Sequence, residues 1–532
     1  MAVYQIHRIQ SEGVALFTIV VKPAAEGKFP TIIMRNPYVD ATASKSDEEL
    51  ARDKMVEYSD FLEAGYVAIY QHCRGCGKSE GDCIPYINER KDGLALQAWI
   101  REQPFYNGEM YLFGTSYAAA VHYATAPFAP DIKGAVLRVM DNDRYNGNYR
   151  NGFYKVGLHG GWFVNMYKRM SMTKKPYVTE TYNTLPLIDF SKNVFGESVP
   201  VFDEILLHPD RDDPFWDTYL GGAEIRHAEK NANIPLLLVG GFYDIFTGGM
   251  FDMWHGLDDA TRQKSAFLVC PYGHSTSPEG QPIEFPDGDI SIYKNKHAIE
   301  WFDSIRGKRE FPFTQGKVTY YSLFENVWKT DDFTTPERTM SFPLGESEVT
   351  YTYNPYAPAS FSRGLSTNFG GTTYFAPPNS RYDVKSFFTP PFECDTLIRG
   401  KMKLKLTVRS DCEDTCFCVR LALDKSEGAY GLRDDITQIS NFTDHYVPGE
   451  AITLDLTFDE HCFLVRAGER LRIDVSSSDT THYVRHTNQK GLYALQTTAK
   501  VAHNTLILAD SVLTVPADSP DTPTANEVTC IQ

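Results

Sequence analysis

Short, largely apolar segments that alternate with helical stretches constrain the fold of this chain more than any other feature. Such segments occur at residues 30–35, 66–70, 110–113 and 134–139. Buried strands separated by helices are typical of a parallel sheet that is covered on both faces. The pattern stops near residue 140 and resumes at residues 234–239 and 264–269, so we expect one α/β sheet that an insertion interrupts.

The interrupting segment, residues 143–231, is rich in Tyr, Asn, Met and Trp and has no repeated strand pattern. It carries helix-like stretches, and we predict that it forms a helical lid over one edge or face of the sheet. From about residue 335, apolar and polar residues alternate with a period of two, as at residues 403–408 and 452–458. This alternation, with turn residues between the segments, predicts an antiparallel β sandwich.

The length of 532 residues also favours two or three domains over one. We predict a sheet domain made of residues 1–142 and 232–334, with the helical lid at 143–231 inserted between them. An all-β domain is expected to follow at residues 335–532.

The composition argues against several classes of protein. The net charge of −17 gives no general attraction for nucleic-acid phosphates or anionic lipid. No run of about 18 uncharged apolar residues predicts a membrane span, and the first residues lack the pattern of a secretory signal. We therefore expect a cytoplasmic protein that binds neither nucleic acid nor membranes.

The ten cysteines are scattered along the chain and are expected to be reduced thiols. Cys73, Cys76 and Cys83 begin like a zinc motif but lack a second pair at the required spacing. Cys416 and Cys418 lie two residues apart in a strand-like segment, so both are expected to face one side as small apolar residues. We therefore predict no metal site and no cofactor.

Ser116 marks the sharpest local motif, Gly114-Thr-Ser-Tyr-Ala118, between the apolar segment 110–113 and an alanine-rich stretch. A serine on a strained strand-to-helix turn exposes its hydroxyl, and small residues two positions away on each side let the backbones pass closely. The amide of Tyr117 would then be free to donate to an oxyanion. A serine that merely caps a helix would also fit this pattern.

A nucleophilic serine needs a base and a carboxylate that orients it, in the chain order Ser, acid, His in α/β-hydrolases. Asp244 and His274 each follow a resumed strand, so both should emerge at the sheet edge where Ser116 lies. Asp244 also fits an Asx turn. Tyr38 follows the segment 30–35 at the same edge and is either a second oxyanion donor or a rim residue.

A series of motifs, in the same order along the chain, resembles the cocaine esterase and X-Pro dipeptidyl-peptidase family of serine hydrolases. The matching segments are residues 35–38, 71–81, 107–117, 208–216, 241–244, 271–274, 467–472 and 476–478. They include the tyrosine motif, the serine turn, the acid and the base, and the last two resemble the C-terminal jelly-roll domain of that family. The chain departs from the family pattern at Ala119, where a glycine is usual.

The resemblance implies an α/β-hydrolase fold in which Ser116 is the nucleophile, His274 the base and Asp244 the residue that orients it. It also implies an oxyanion hole formed by Tyr38 and the Tyr117 amide, and no cofactor. It makes the predicted all-β domain a jelly roll, and it leaves a homodimer open.

The substrate is less constrained. Aromatic residues of the predicted lid suggest an apolar acyl pocket, with packing inside the lid as the alternative: Tyr154, Trp162, Phe163 and Trp216. We place first a hydrolase for esters or amides of small hydrophobic acyl groups, and second an X-Pro dipeptidyl-peptidase. A third alternative is a jelly-roll binding protein without catalysis.

Overall fold

The computed structural model describes residues 2–39, 45–140, 142–172, 174, 184–290, 295–361 and 371–518. Up to residue 331 the strands are β1 (Ala2–Ser11), β2 (Val14–Pro23), β3 (Phe29–Asn36), β4 (Val67–His72), β5 (Tyr106–Thr115), β6 (Ile132–Arg138), β7 (Tyr149–Arg150), β8 (Phe153–Tyr154), β9 (Leu236–Gly241), β10 (Ala266–Cys270), β11 (Val318–Ser322) and β12 (Val327–Asp331).

The remaining strands are β13 (Thr339–Pro343), β14 (Glu348–Tyr353), β15 (Lys385–Phe388), β16 (Thr396–Gly400), β17 (Lys403–Ser410), β18 (Cys416–Lys425), β19 (Gly428–Gln438), β20 (Ile452–Thr457), β21 (His461–Val465), β22 (Arg470–Ser476), β23 (Ala502–Ile507) and β24 (Val512–Asp518). The α-helices are α1 (Asp47–Glu57), α2 (Ser59–Glu63), α3 (Glu89–Arg101), α4 (Tyr117–Tyr123), α5 (Arg144–Asn148), α6 (Gly161–Met166), α7 (Phe190–Phe195), α8 (Pro200–Leu207), α9 (Thr247–Gly256), α10 (Asp259–Gln263) and α11 (Lys296–Ile305).

A mixed sheet occupies the first part of the chain, in the order β1-β2-β4-β3-β5-β6-β9-β10-β11-β12. The strands β4, β3, β5, β6, β9, β10 and β11, which follow one another in this order, run parallel to each other. The prediction of one α/β sheet that resumes after an insertion is confirmed, because β6 pairs directly with β9. The antiparallel hairpin β1–β2 was not predicted from the sequence. Its outer strand alternates polar and apolar residues at the sheet edge and so lacks the largely apolar run that marks the buried strands.

The last part of the chain is all β, as predicted. Within the described residues, β15, β22, β18 and β19 form one antiparallel sheet, and a second sheet contains β14, β23, β17, β24, β16 and β21, with β13 and β20 paired to it. Strand β18 is buried along most of its length because both of its faces are covered. Phe417 and Val419 face the large core shared by the sheets, whereas Cys416 and Cys418 face residues from the segment between β6 and β9.

The segment between β6 and β9 is built from short helices and the small hairpin β7–β8. Its core is an aromatic cluster that also includes side chains of the all-β part, so the segment packs against the outer face of β18 and β19. No helix in the described ranges is both long and apolar enough to cross a membrane.

Arg150 joins this segment to the all-β part through charge-assisted hydrogen bonds. Its guanidinium donates to Asp435 Oδ1 and to Asp459 Oδ1, both at 2.7 Å, and to the Thr457 carbonyl at 2.9 Å. The Asp459 carboxylate also lies against the first turn of α9, since a Cβ on Gly248 would come within 2.7 Å of it. One carboxylate therefore contacts both the inserted segment and the helix that follows β9.

The pKa of Asp459 reflects this arrangement. Burial raises the pKa of the carboxyl, but the guanidinium groups of Arg150 and Arg433 outweigh burial and lower it to about 2. Because this is below the ordinary value of 3.8, the ionised carboxylate stabilises the folded state above that value, and the contribution is lost as the pH falls towards 2.

We expect Asp459→Asn to lower the free energy of unfolding by about 2–3 kcal/mol at pH 7, because it leaves the buried Arg433 and the partly buried Arg150 with less negative charge. The difference from the wild type should shrink between pH 4 and pH 2. Urea denaturation as a function of pH measures it. Asp455→Asn, on the exposed face of β20, is the matched control and should change stability by less than about 0.5 kcal/mol. Equal effects of the two substitutions would contradict the role of Asp459.

Candidate active site

Ser116 lies at the turn between β5 and α4, with φ 58° and ψ −134°. Residues other than glycine rarely adopt a positive φ, and holding one there costs on the order of 1–3 kcal/mol. The turn leaves no room for a side chain at position 114, since a Cβ on Gly114 would lie 2.2 Å from the carbonyl oxygen of Ala118. Ala119, where the family usually has glycine, is fully buried. The structure thus places Ser116 at a strained turn of the predicted type.

Tyr38, two residues after the end of β3, brings its phenol to the serine. Its Oη lies 3.0 Å from Ser116 Oγ, and the Tyr117 amide donates to the same Oη at 3.1 Å. Burial raises the pKa of the Tyr38 phenol, although its hydrogen bonds to Ser116 and the Tyr117 amide oppose the shift. The phenol therefore stays neutral near pH 7 and can donate a hydrogen bond together with the amide.

Beneath this pair, the Tyr117 side chain is anchored in a buried polar network. Its phenol donates to Glu89 Oε1 at 2.6 Å and accepts from the Tyr86 amide at 2.9 Å. Burial raises the pKa of Glu89 to about 7, against the opposing charge of Arg35, whose guanidinium lies 3.5 Å from the carboxyl. The network fixes the first residue of α4, and sequence reasoning missed it because the partners are far apart in the chain.

Asp244 and His274 lie in the loops after β9 and β10. The Asp244 Oδ2 atom is 2.9 Å from His274 Nδ1, and Asp244 Oδ1 accepts the Phe246 amide at 2.7 Å. The Asp244 side chain is 1% exposed and that of His274 is 19% exposed. A carboxylate at Nδ1 favours the tautomer with the proton on that nitrogen and leaves Nε2 as an acceptor.

The order of the parallel strands explains why these side chains share one region. β5, β6, β9 and β10 are consecutive neighbours, so their carboxyl ends meet at one edge of the sheet. The Phe246 ring packs against the His274 ring, with centroids 5.7 Å apart. Phe246 and Ser116 also line the same cavity.

This cavity, which we call the acyl cavity below, is small, with a free volume of about 20 Å³. Beside Ser116 and the pair Tyr38 and Tyr117, its wall is formed mainly by Tyr86, Leu158, His159, Trp162, Ile245 and Phe246. None of the described residues that line it is acidic. The wall is aromatic and apolar except for one imidazole and the hydroxyls.

Of the four aromatic residues predicted for the pocket, Trp162 lines the cavity. The other three lie in the aromatic core of the inserted segment. Phe163 and Tyr154 pack on Phe202, at 4.9 and 5.8 Å between centroids, and Trp216 packs on Tyr145 at 5.4 Å. They are fully buried, because short helices can form a core only by bringing their largest apolar side chains together.

Several wall residues were not identified from the sequence, among them Tyr86, His159, Ile245 and Phe246. Ile245 and Phe246 directly follow Asp244, so an apolar pair after the proposed acid was a usable signal. Tyr86 and His159 reach the cavity from loops and a short helical turn, and no local pattern marks them.

Cys73, Cys76 and Cys83 are buried free thiols. Within the described residues, no group of three His, Cys, Asp or Glu side chains is arranged to hold a metal ion.

Comparison with known sequences shows similarity over nearly the whole chain. Residues 12–276 match the X-Pro dipeptidyl-peptidase (S15 family), and residues 305–511 match the X-Pro dipeptidyl-peptidase C-terminal non-catalytic domain. The cocaine esterase of Rhodococcus sp. (strain MB1 Bresler) is 23% identical over 555 aligned positions, which cover 91% of this chain and 92% of that protein.

Solved structures share the fold at lower identity. An aminopeptidase from a marine sediment Thaumarchaeota archaeon superposes with a TM-score of 0.81 at 18% identity and covers 97% of this chain and 96% of its own. An α-amino acid ester hydrolase gives 0.78 at 15% identity, with 97% of both chains covered. A CocE/NonD family hydrolase from Staphylococcus aureus gives 0.66 at 15%, covering 97% of this chain and 94% of its own. With the two sequence matches spanning both parts of the chain, the protein belongs to the cocaine esterase and X-Pro dipeptidyl-peptidase family of serine hydrolases.

Proposed function

We propose that Ser116, His274 and Asp244 are the catalytic triad of this serine hydrolase and that Tyr38 and the Tyr117 amide form its oxyanion hole. The observation that carries the proposal is the meeting of two hydrogen-bonded pairs at one sheet edge. The Tyr38 phenol lies 3.0 Å from a serine on a strained turn, and the buried Asp244 carboxylate lies 2.9 Å from His274 Nδ1.

The chemistry is acyl transfer. His274 Nε2 accepts the Ser116 proton while Oγ attacks the substrate carbonyl carbon, and the carbonyl oxygen becomes an oxyanion held by Tyr38 and the Tyr117 amide. His274 then protonates the leaving alcohol or amine, which departs and leaves an acyl-enzyme. Water, deprotonated by the same imidazole, attacks the acyl carbon and releases the acid and the free serine.

For the domains we propose the predicted boundaries. Residues 1–142 and 232–334 form the catalytic domain, residues 143–231 a lid, and residues 335–532 a jelly-roll domain. The lid assignment is supported by Leu158, His159 and Trp162, which come from the inserted segment and line the acyl cavity. The jelly-roll domain would hold the lid in place through Arg150.

We propose esters or amides of small hydrophobic acyl groups as the substrates. The support is the small, aromatic and apolar cavity beside Ser116. An X-Pro dipeptidyl-peptidase is the second candidate, favoured by the family match over residues 12–276. That activity requires recognition of a substrate ammonium, for which carboxylates are the expected partners, and the cavity-lining residues of the described chain include no carboxylate.

We expect Ser116→Ala to lower kcat by about 10⁴- to 10⁶-fold, because the nucleophile is lost. A fluorophosphonate should label the wild type at one serine, located by mass spectrometry, and should not label the variant. Ser341→Ala, on β13 of the all-β part, is the control and should keep full labelling. A non-catalytic binding protein would show no labelling in any of the three.

Tyr38→Phe should lower kcat by about 10²- to 10³-fold with little change in KM, because it removes one oxyanion donor and keeps the aromatic ring. The steady-state kinetics of an activated ester measure this. Tyr356→Phe, an exposed tyrosine of the all-β part, is the control. A Tyr38→Phe enzyme with an unchanged kcat would show that the phenol does not stabilise the oxyanion.

The two substrate candidates predict opposite preferences. We expect a higher kcat/KM for p-nitrophenyl butyrate than for Gly-Pro-p-nitroanilide, since the cavity offers apolar contacts and no carboxylate for the dipeptide ammonium. Both substrates release a chromophore, so one assay compares them, with Ser116→Ala as the blank. A clear preference for the anilide would reverse our order and support the peptidase.

A further inference from the structure

A buried arginine lies behind the wall of the acyl cavity. Arg144, the first residue of α5, is 1% exposed. Its Nη1 lies 3.2 Å from His159 Nε2, and its Cζ lies 4.1 Å from the centre of the Tyr86 ring. Both His159 and Tyr86 belong to the cavity wall.

In the part of the chain that the structure describes, no carboxylate oxygen lies within 4.0 Å of a guanidinium nitrogen of Arg144. A guanidinium stays protonated in proteins, and burying it without an anion is costly. Two other buried arginines of this chain are paired with carboxylates. Arg472 donates to Asp474 at 2.8 Å, and Arg35 lies 3.5 Å from Glu89.

The imidazole beside Arg144 cannot neutralise it. An arginine only donates, so His159 Nε2 accepts, and the ring is neutral with its proton on Nδ1. That nitrogen lies 3.5 Å from Tyr154 Oη. Burial, and then the charge of Arg144, lower the pKa of His159 well below its ordinary value. The His159 and Tyr86 rings lie next to the guanidinium but carry no charge that could neutralise it. Its positive charge is therefore felt inside the cavity.

The surroundings of the cavity add to this charge. Arg169 donates to the Pro37 carbonyl at 3.0 Å, next to Tyr38. Of the nearby carboxylates, Asp244 is bonded to His274, and Glu89 accepts from the Tyr117 phenol. Asp434 and Asp459 line a neighbouring cavity that shares Leu158 and Ile245 with this one. None of them lines the cavity.

We infer that Arg144 is a specificity-determining residue, which makes the acyl cavity select a substrate whose acyl group ends in a carboxylate over one of the same shape that ends in a cation. The inference rests on the proposed function, because it takes the cavity beside Ser116 as the acyl site. The favoured charged substrates are monoesters or monoamides of short dicarboxylic acids.

Three 4-nitrophenyl esters of similar length test this selection: the pentanoate, the glutarate monoester and the ester of 4-(trimethylammonio)butanoate. Their kcat/KM values are compared within each enzyme preparation, so the fraction of folded protein cancels from every ratio. Ser116→Ala provides the rate of spontaneous hydrolysis. For the wild type we expect the anionic ester to exceed the cationic ester by more than about tenfold, the effect of one charge a few ångströms away at intermediate dielectric.

Arg144→Gln should lower the ratio of anionic to cationic ester at least tenfold, and Arg144→Lys should keep it within about threefold because the charge remains. An unchanged ratio in Arg144→Gln, or a lysine variant that matches the glutamine variant, would overturn the inference. If the variants do not fold, the wild type decides alone, and a ratio below one overturns it. Hydrolysis of no ester, or equal hydrolysis by Ser116→Ala, would instead refute the proposed function.

Discussion

The hydrogen bond between the Asp244 carboxylate and His274 Nδ1 is the contact on which the proposed chemistry depends, and the sheet creates it. Neither side chain could reach the other if β9 and β10 were not adjacent and parallel. The same edge carries Ser116 after β5, two strands away from β9. The sheet and the close packing of Gly114 against α4 hold the serine backbone in its strained conformation. A rigid scaffold thus holds groups that no local stretch of sequence could bring together.

The cavity wall and the proposed catalytic side chains come from different parts of the chain. Trp162, His159 and Leu158 come from a segment of short helices, which are marginal on their own. That segment packs its aromatic core on the outer face of β18 and β19, and Arg150 ties it to Asp435 and Asp459. Because Asp459 also lies against the first turn of α9, the all-β part contacts both the wall and the helix after the acid loop. The shape of the cavity therefore depends on a domain that supplies none of the proposed catalytic side chains.

Sequence reasoning predicted the sheet well because its information is local. A buried parallel strand needs a largely apolar run, and the runs at residues 30–35, 66–70 and 110–113 each lie in a strand. Ser116, Asp244 and His274 were identifiable because each follows such a strand. The pocket was not predictable in the same way. Phe163 and Trp162 are neighbours of the same chemical type, yet one lies in the core and the other on the cavity wall, and only the packing of the segment decides between them.

The catalytic groups determine which reaction takes place, whereas the charge around the cavity influences which substrates undergo it. Ser116, Tyr38 and the Asp244–His274 pair would act on any carbonyl that reaches them, so they do not distinguish an ester from a peptide. Discrimination has to come from the wall, where selectivity is a difference between favourable and unfavourable contacts. A wall without carboxylates, backed by a guanidinium that cannot lose its proton, disfavours a cationic acyl group whatever the leaving group is. Arg144 would thus exclude substrates chiefly by the desolvation and repulsion of their positive charge, without a new attractive contact for each accepted one.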